Sequence, residues 1–309
     1  MQSIKTKVLT MFMSFVMAVA MFPALGSNAA TLAWTYNNIV YKFNESTGVM
    51  TVTGTGEMFN FTALDTNGDK RPDKTNAPWF DTKTNYYYKI KKVIIGDGIT
   101  KIGDNSFCRC YNIESVEFQS TGSLKTIGTQ AFYDCYHLTS LGLPNGLVTV
   151  GRNSFAYNSA LQSVSIPNTV KTIAYGAFAC CSNLAKVYIP KSVSSLGDFA
   201  FKSNYKLSAV TGGAGLTSIG RQAFEYTYKL RTFSITSKKL SRIGQCCFYC
   251  SGLKTIKIKK TTKLKKKKVK GSLYLSSVKT VKVKKSKVRK YRKFFTYRNC
   301  GKRRVKVKK

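Results

Sequence analysis

Two groups of side chains could do chemistry in this chain. The first is the run DTNGDKRPD at 65–73, where Asp65, Asn67, Asp69 and Asp73 stand at its first, third, fifth and ninth positions. Hard oxygen donors at this spacing suit Ca²⁺, and the competing reading is an exposed polar turn. The second group is lysine. LKTIKIKK (253–260), VKTVKVKK (278–285) and RRVKVKK (303–309) each alternate apolar and basic residues, the period of a strand with one buried face. Aligned on Ile256/Ile258, Val281/Val283 and Val305/Val307, they place Lys254, Lys279 and Arg303 in one column. Lys257, Lys282 and Lys306 form a second, Lys259, Lys284 and Lys308 a third, and Lys260, Lys285 and Lys309 a fourth. Like charges on neighbouring strands repel, so the columns are a candidate polyanion-binding surface. The alternative is that they solubilise and protect a sheet edge.

The oxygen-ligand run resembles the loops of thrombospondin type 3 repeats and the start of an EF-hand. It departs from the pattern at Lys70, where a glycine would turn the chain, and at Asn76, where a bidentate Glu would close an EF-hand. Catalytic constellations are not legible. The one histidine, His137, has no nucleophile motif beside it, and no G-x-S-x-G, phosphate-binding loop or H-E-x-x-H is present. The chain reads as a non-enzyme.

Charge is unevenly placed. The 309 residues carry a net charge of +38, and 31 of the 51 lysines and arginines follow Glu225, the last acidic residue. Such an end implies an anionic partner. The start of the chain narrows the choice. Lys5 and Lys7, an apolar run from Val8 to Phe22 and small residues to Ala30 read as a secretory signal peptide. An exported chain points away from nucleic acid, and no later stretch is apolar enough to span a bilayer.

What must position these groups is a repeat. Phe107, Phe132, Phe155, Phe178, Phe201, Phe224 and Phe248 recur at steps of 23 to 25 residues. LVTVGRNSFAYNSALQSVSIPNT (147–169) is followed by VKTIAYGAFACCSNLAKVYIPKS (170–192) in the same pattern. A fixed period of this length means a solenoid whose stacked rungs share one core. In each rung a short strand such as Val164–Ser165–Ile166 faces the core, a proline ends it, an Ile-Gly pair turns the chain, and the Ala-Phe segment plugs the core from the other side. About nine rungs spaced as parallel strands would make a curved rod of roughly 40 Å.

The pattern L-x-x-V-x-I-P-x-x-V-x-x-I-G-x-x-A-F-x-x-C resembles the BspA-type leucine-rich repeats of bacterial surface proteins, tightly over 93–263 and loosely beyond. The resemblance implies a repeat solenoid. It is a leucine-rich-repeat-like stack of short parallel β-strands, with turns or short helical segments on the other side. An N-terminal β cap would span 31–92 after the leader at 1–30. The array would span 93–263, and Lys-rich degenerate repeats with a basic helix–strand cap 264–309. Trp34, Tyr36, Val49, Met58 and Trp79 would cover the open N-terminal end. The segment 286–301 reads as a basic amphipathic helix with Ser286 as N-cap and Gly301 as C-cap; a membrane-surface helix is its alternative.

Beyond successive phenylalanines stand Cys110, Cys135, Asn158, Cys181, Asn204, Thr227 and Cys250. A disulfide framework would not exchange Cys for Asn or Thr, so these read as a buried hydrogen-bonding ladder. One disulfide among Cys108, Cys180, Cys246, Cys247 and Cys300 stays open. Zinc at Cys246, Cys247 and Cys250 is disfavoured because adjacent cysteines make a poor tetrahedral site. The outward column of the sheet, Glu117, Ser165, Tyr188, Thr211 and Ser234, is the candidate ligand face. The resemblance implies a secreted, cell-surface, adhesin-like binding protein with a host or microbial surface protein or glycan as partner. The alternative is a wall-associated structural protein held by its cationic end to anionic cell-wall polymers. No cofactor is expected besides the possible calcium.

Overall fold

The computed structural model describes residues 31–67, 72–81, 83–119, 122–259, 262–297, 300 and 304–309. The expected leader, Asp69, Gly301 and Arg303 lie outside the described residues. The fold is a parallel β-solenoid of about nine turns with little helix, as the repeat predicts.

One rung shows how the sequence makes it. Strand Ser163–Ser165 is followed by a turn in which the Val170 N–H donates to the Pro167 carbonyl at 3.2 Å; the two-residue strand Thr172–Ile173 then leads to Phe178. Val164, Ile166, Val170, Ile173, Phe178, Cys181 and Leu184 all pack into one continuous core.

The strands of the Ser163–Ser165 type pair in parallel and in register, for example Tyr188 with Thr211 and Ser234 with Lys257. The Ile-Gly segment departs from expectation. It is not only a turn. Thr126–Ile127, Thr149–Val150, Thr172–Ile173, Ser195–Leu196, Ser218–Ile219 and Arg242–Ile243 form most of an eight-stranded parallel sheet along a second side. Its glycines serve close approach rather than unusual backbone angles. A Cβ on Gly151 would stand 2.3 Å from the Ile127 carbonyl oxygen.

The third side is built from paired left-handed residues, two before and two after each phenylalanine: Asn153 and Tyr157 (φ 50° and 66°), Gly176 and Cys180 (60° each), Phe199 and Ser203 (60° and 58°). A left-handed non-glycine residue costs roughly 1–2 kcal/mol. The conformation is repaid by aiming three N–H groups per turn along the stack. Asn153, Phe155 and Tyr157 donate to the Tyr175, Ala177 and Ala179 carbonyls at 2.8, 2.9 and 2.8 Å. All three sides of a rung are therefore tied to the next by backbone bonds.

The phenylalanine rings stack inside. From Phe107 to Phe248 successive centroids are 5.2 to 5.7 Å apart and the planes lie within 13°. Trp79 continues the stack at 5.7 Å and 17° from Phe107, fully buried, its indole N–H donating to the Ser106 carbonyl at 3.1 Å. In the next position after Phe248, Leu273 is buried where a phenylalanine would stand. The antiparallel strands Thr31–Tyr36, Ile39–Asn44 and Val49–Gly54 precede the solenoid, and Val49–Gly54 pairs in parallel with Lys92–Ile95. Trp34, Met58 and Trp79 are buried there and Tyr36 is partly buried. Val49 is not in the core: alternation turns Met50 and Val52 inward instead.

The C-terminal segment departs further. The helix runs only Val288–Arg292, preceded by the single 3-10 turn Lys285–Lys287, so Ser286 is no N-cap. A run of lysines and arginines without acids offers no i,i+4 ion pair to extend a helix. Tyr291 and Phe295 are buried nonetheless, and the Tyr291 hydroxyl accepts from the Thr262 N–H at 3.2 Å.

Candidate polyanion interface

Strand pairing decides which lysines meet. Thr255–Ile258 pairs with Thr280–Lys282 so that Ile256 faces Val281 and Lys257 faces Lys282. The last strand, Lys306–Lys308, sits two residues away from the expected alignment: Val281 faces Val307, Thr280 faces Lys306, and Lys282 faces Lys308. The central column is thus Lys257, Lys282 and Lys308, with Lys306 in the row beside it. A two-residue slip keeps each side chain on its own face, so alternation alone does not distinguish the two registers. Burial of Val307 against Val281, with Val305 only half-buried, selects this one.

Lys257, Lys282, Lys306 and Lys308 are exposed on one face, and Lys259 and Lys284 extend it beyond the strand ends. Neighbours across strands are about 4.8 Å apart, and next-but-one neighbours along a strand about 6.7 Å. Lys254 and Lys279 precede the strands and are exposed as well. Among the described residues every side-chain ion pair lies at or before Glu225, because no acidic residue follows it. The six lysines therefore face solvent without a carboxylate side chain among them.

Toward the N-terminus the same face carries fewer cations, with Lys186 exposed beside Tyr188. Ser165, Tyr188 and Thr211 are exposed and Ser234 is half-buried. Tyr188 is 56% exposed, and its neighbour across the strand is Thr211. Glu117 is engaged differently: its carboxylate pairs with Lys92 Nζ at 2.7 Å.

Within the oxygen-ligand run, Asp73 is engaged by donors of the run and by Arg109. One Asp73 carboxylate oxygen accepts from the Thr66 N–H at 2.6 Å, the Thr66 hydroxyl at 2.8 Å and the Asn67 N–H at 3.0 Å. The other accepts from the Asn67 amide at 3.2 Å and Arg109 Nη1 at 3.1 Å. These contacts, the Thr66 hydroxyl first and Arg109 last, hold the Asp73 carboxyl below the usual carboxylate range. Arg109 is thus the cation that Asp73 meets in this arrangement. Arg109 also donates to the Pro72 carbonyl at 2.9 Å, strapping this loop to the first rung.

The cysteines form the expected ladder with one correction. Cys135 Sγ, Asn158 Nδ2, Cys181 Sγ and Asn204 Nδ2 reach back to the carbonyls of Phe107, Phe132, Phe155 and Phe178 at 2.8 to 3.2 Å. Thr227 and Ser251, too short to span a rung, bond the carbonyl of their own rung's phenylalanine at 2.8 Å. Ser251, not Cys250, holds the seventh place; Cys250 occupies a left-handed turn position, φ 48°. Burial pushes the Cys110 and Cys135 thiols well up, so they stay protonated. Cys246 and Cys247 do not converge: Cys247 is buried in the core and Cys246 is half exposed.

Residues 81–208 and 172–300 match the model of the BspA type Leucine rich repeat region, in six copies. No curated protein sequence matches the chain. Among solved structures, a leucine-rich repeat protein from Bacteroides ovatus is similar with a TM-score of 0.52 and 20% identity, over 89% of this chain and 76% of that one. One from Eubacterium ventriosum gives a TM-score of 0.42 and 19% identity, over 88% and 82% of the two chains. The T. pallidum leucine-rich repeat protein gives 0.44 and 22%, over 62% and 88%.

Proposed function

Because the chain belongs to the BspA-type leucine-rich repeat family, we propose that it is a non-catalytic binding protein of the cell surface whose last rungs grip an anionic polymer. One observation carries the reading. Lys257, Lys282 and Lys308 stand in register on adjacent strands with no acidic side chain among them. Like charges placed opposite one another cost stability, and a bound polyanion relieves that cost. Edge protection accounts for charge on the edge strand Lys306–Lys308; four of the six lysines, Lys257, Lys259, Lys282 and Lys284, lie on or just beyond the inner strands. Anionic cell-wall polymer is the partner this favours, and wall retention by charge is the role.

The less charged part of the sheet, where Lys186 and Tyr188 share a face, supports a second, compatible contact. Tyr188 presents an exposed ring beside Thr211 and Ser165, a surface for a protein or glycan ligand.

The test is retention of residues 31–309 on purified anionic cell wall across a salt gradient. Binding that is strong at low salt and falls steeply toward physiological ionic strength supports the proposal. Equal retention at every salt concentration, or none at low salt, refutes it.

A further inference from the structure

The turn side of the solenoid, away from the lysine face, holds a cavity of about 360 Å³. It lies within the size range of small-ligand sites. Its origin is a local lapse in side-chain size. Immediately after the stacked phenylalanine, successive rungs carry Tyr133, Ala156, Ala179 and Lys202; two before it they carry Gln130, Asn153, Gly176 and Phe199. The small residues coincide in adjacent rungs, so Ala156, Gly176 and Ala179 form a floor. Two aromatic pairs line the cavity with them: Tyr133 and Tyr157, with ring centroids 5.1 Å apart, and Tyr175 and Phe199, also 5.1 Å apart.

Polar groups stand among these rings. The Gln130 and Asn153 amides and Lys202 line the cavity. Asn153 lies over Gly176, where a Cβ would come within 2.0 Å of its Oδ1; any larger residue would displace the amide. Lys202 Nζ sits 5.2 Å above the Phe199 ring and pairs with the buried Glu225 carboxylate at 2.9 Å, which neutralises it. Arg152 covers one face of the Tyr175 ring at 4.1 Å.

We propose that this cavity is a saccharide-binding site taking one pyranose unit of a longer glycan. A pyranose ring has apolar C–H faces and a hydroxyl-bearing edge. Paired aromatic walls match the faces, and two amides with an ammonium match the edge by donating and accepting hydrogen bonds. The Lys202–Glu225 pair offers donors and acceptors without net charge, and the guanidinium groups of Arg152 and Arg221, over the Tyr175 and Phe199 rings, add donors for sugar hydroxyls. The open mouth accommodates a chain continuing past the bound unit. This site is independent of the lysine face, and either assignment can fail without the other.

Saturation-transfer NMR on residues 31–309 with maltotriose, cellotriose, xylotriose and chitotriose tests it. At least one should receive saturation on ring protons. Ala179→Leu, which fills the floor, and Tyr175→Ala, which removes a wall, should each weaken that ligand about tenfold. Both variants should keep the wild-type far-UV circular dichroism and a cooperative urea unfolding transition, which report that they fold. The proposal is overturned if none of the four sugars receives saturation, or if binding persists unchanged in both folded variants.

Discussion

At the residue scale the ladder of carbonyl contacts explains why Cys, Asn, Thr and Ser share one position. Each offers a small donor to a buried phenylalanine carbonyl, an acceptor that is costly to leave unpaired; the Phe107 and Phe248 carbonyls also accept the Cys110 and Ser251 N–H groups at 3.2 Å. The sequence made the interchange of types legible, but not the exchange of partner. Cys and Asn reach the preceding rung, whereas Thr227 and Ser251 bend to their own. Reach decides this, and reach is a property of the assembled stack. Phe178 sits between Phe155 and Phe201 at 5.5 and 5.6 Å, with no exposure. Its replacement by alanine should cost about 3–5 kcal/mol in urea unfolding. A loss below about 1 kcal/mol would mean that the stack is not a core. Asp73 supplies a pH signature. Its carboxyl is held below its unfolded value, so its stabilisation is present above the ordinary carboxylate range. It should be lost as pH falls below about 4. Amide exchange at Thr66 and Asn67 should therefore accelerate in acid, and Arg109→Ala should shift that acceleration to higher pH.

At the element scale the phenylalanine period disclosed the rung but not all three of its sides. Two-residue strands such as Thr172–Ile173 are too short to show an alternation. They exist because the neighbouring rung supplies their hydrogen-bond partners. The left-handed pairs were equally hidden, since residues as unlike as Tyr157, Ser203 and Cys180 adopt one conformation. The final strand shows the limit of alignment by pattern. Val305 and Val307 both suit the pairing with Val281, and only burial separates them. The register makes Lys282 the lysine with a lysine on both sides. Lys282→Glu should exchange two repulsive pairs for two attractive ones, each worth about 0.2–1 kcal/mol. It should raise the unfolding midpoint at low salt, with the gain shrinking as salt is added. A lower midpoint would show that the three lysines do not crowd one another.

At the scale of the whole molecule the chain is graded. A β-rich start leads into less charged rungs tied on three sides, and the rungs then turn strongly cationic. Because each rung of a solenoid contacts mainly its neighbours, repulsion at one end is not spread through the rest. The stack can therefore carry a charged terminal face without losing its middle. The charge gradient was legible from composition and the shared face of the six lysines from alternation; which lysines stand opposite one another needed the strand register. The most direct test of the account is elution from an immobilised polyphosphate column in a salt gradient. Wild type is compared with Lys257, Lys282 and Lys308 all changed to Thr, and with a control in which the exposed Lys265, Lys266 and Lys267 are changed to Thr. The two variants lose the same charge. The account predicts that the first elutes at clearly lower salt than the control. Coincident elution of the two would show that net charge, and not the lysine face, does the binding.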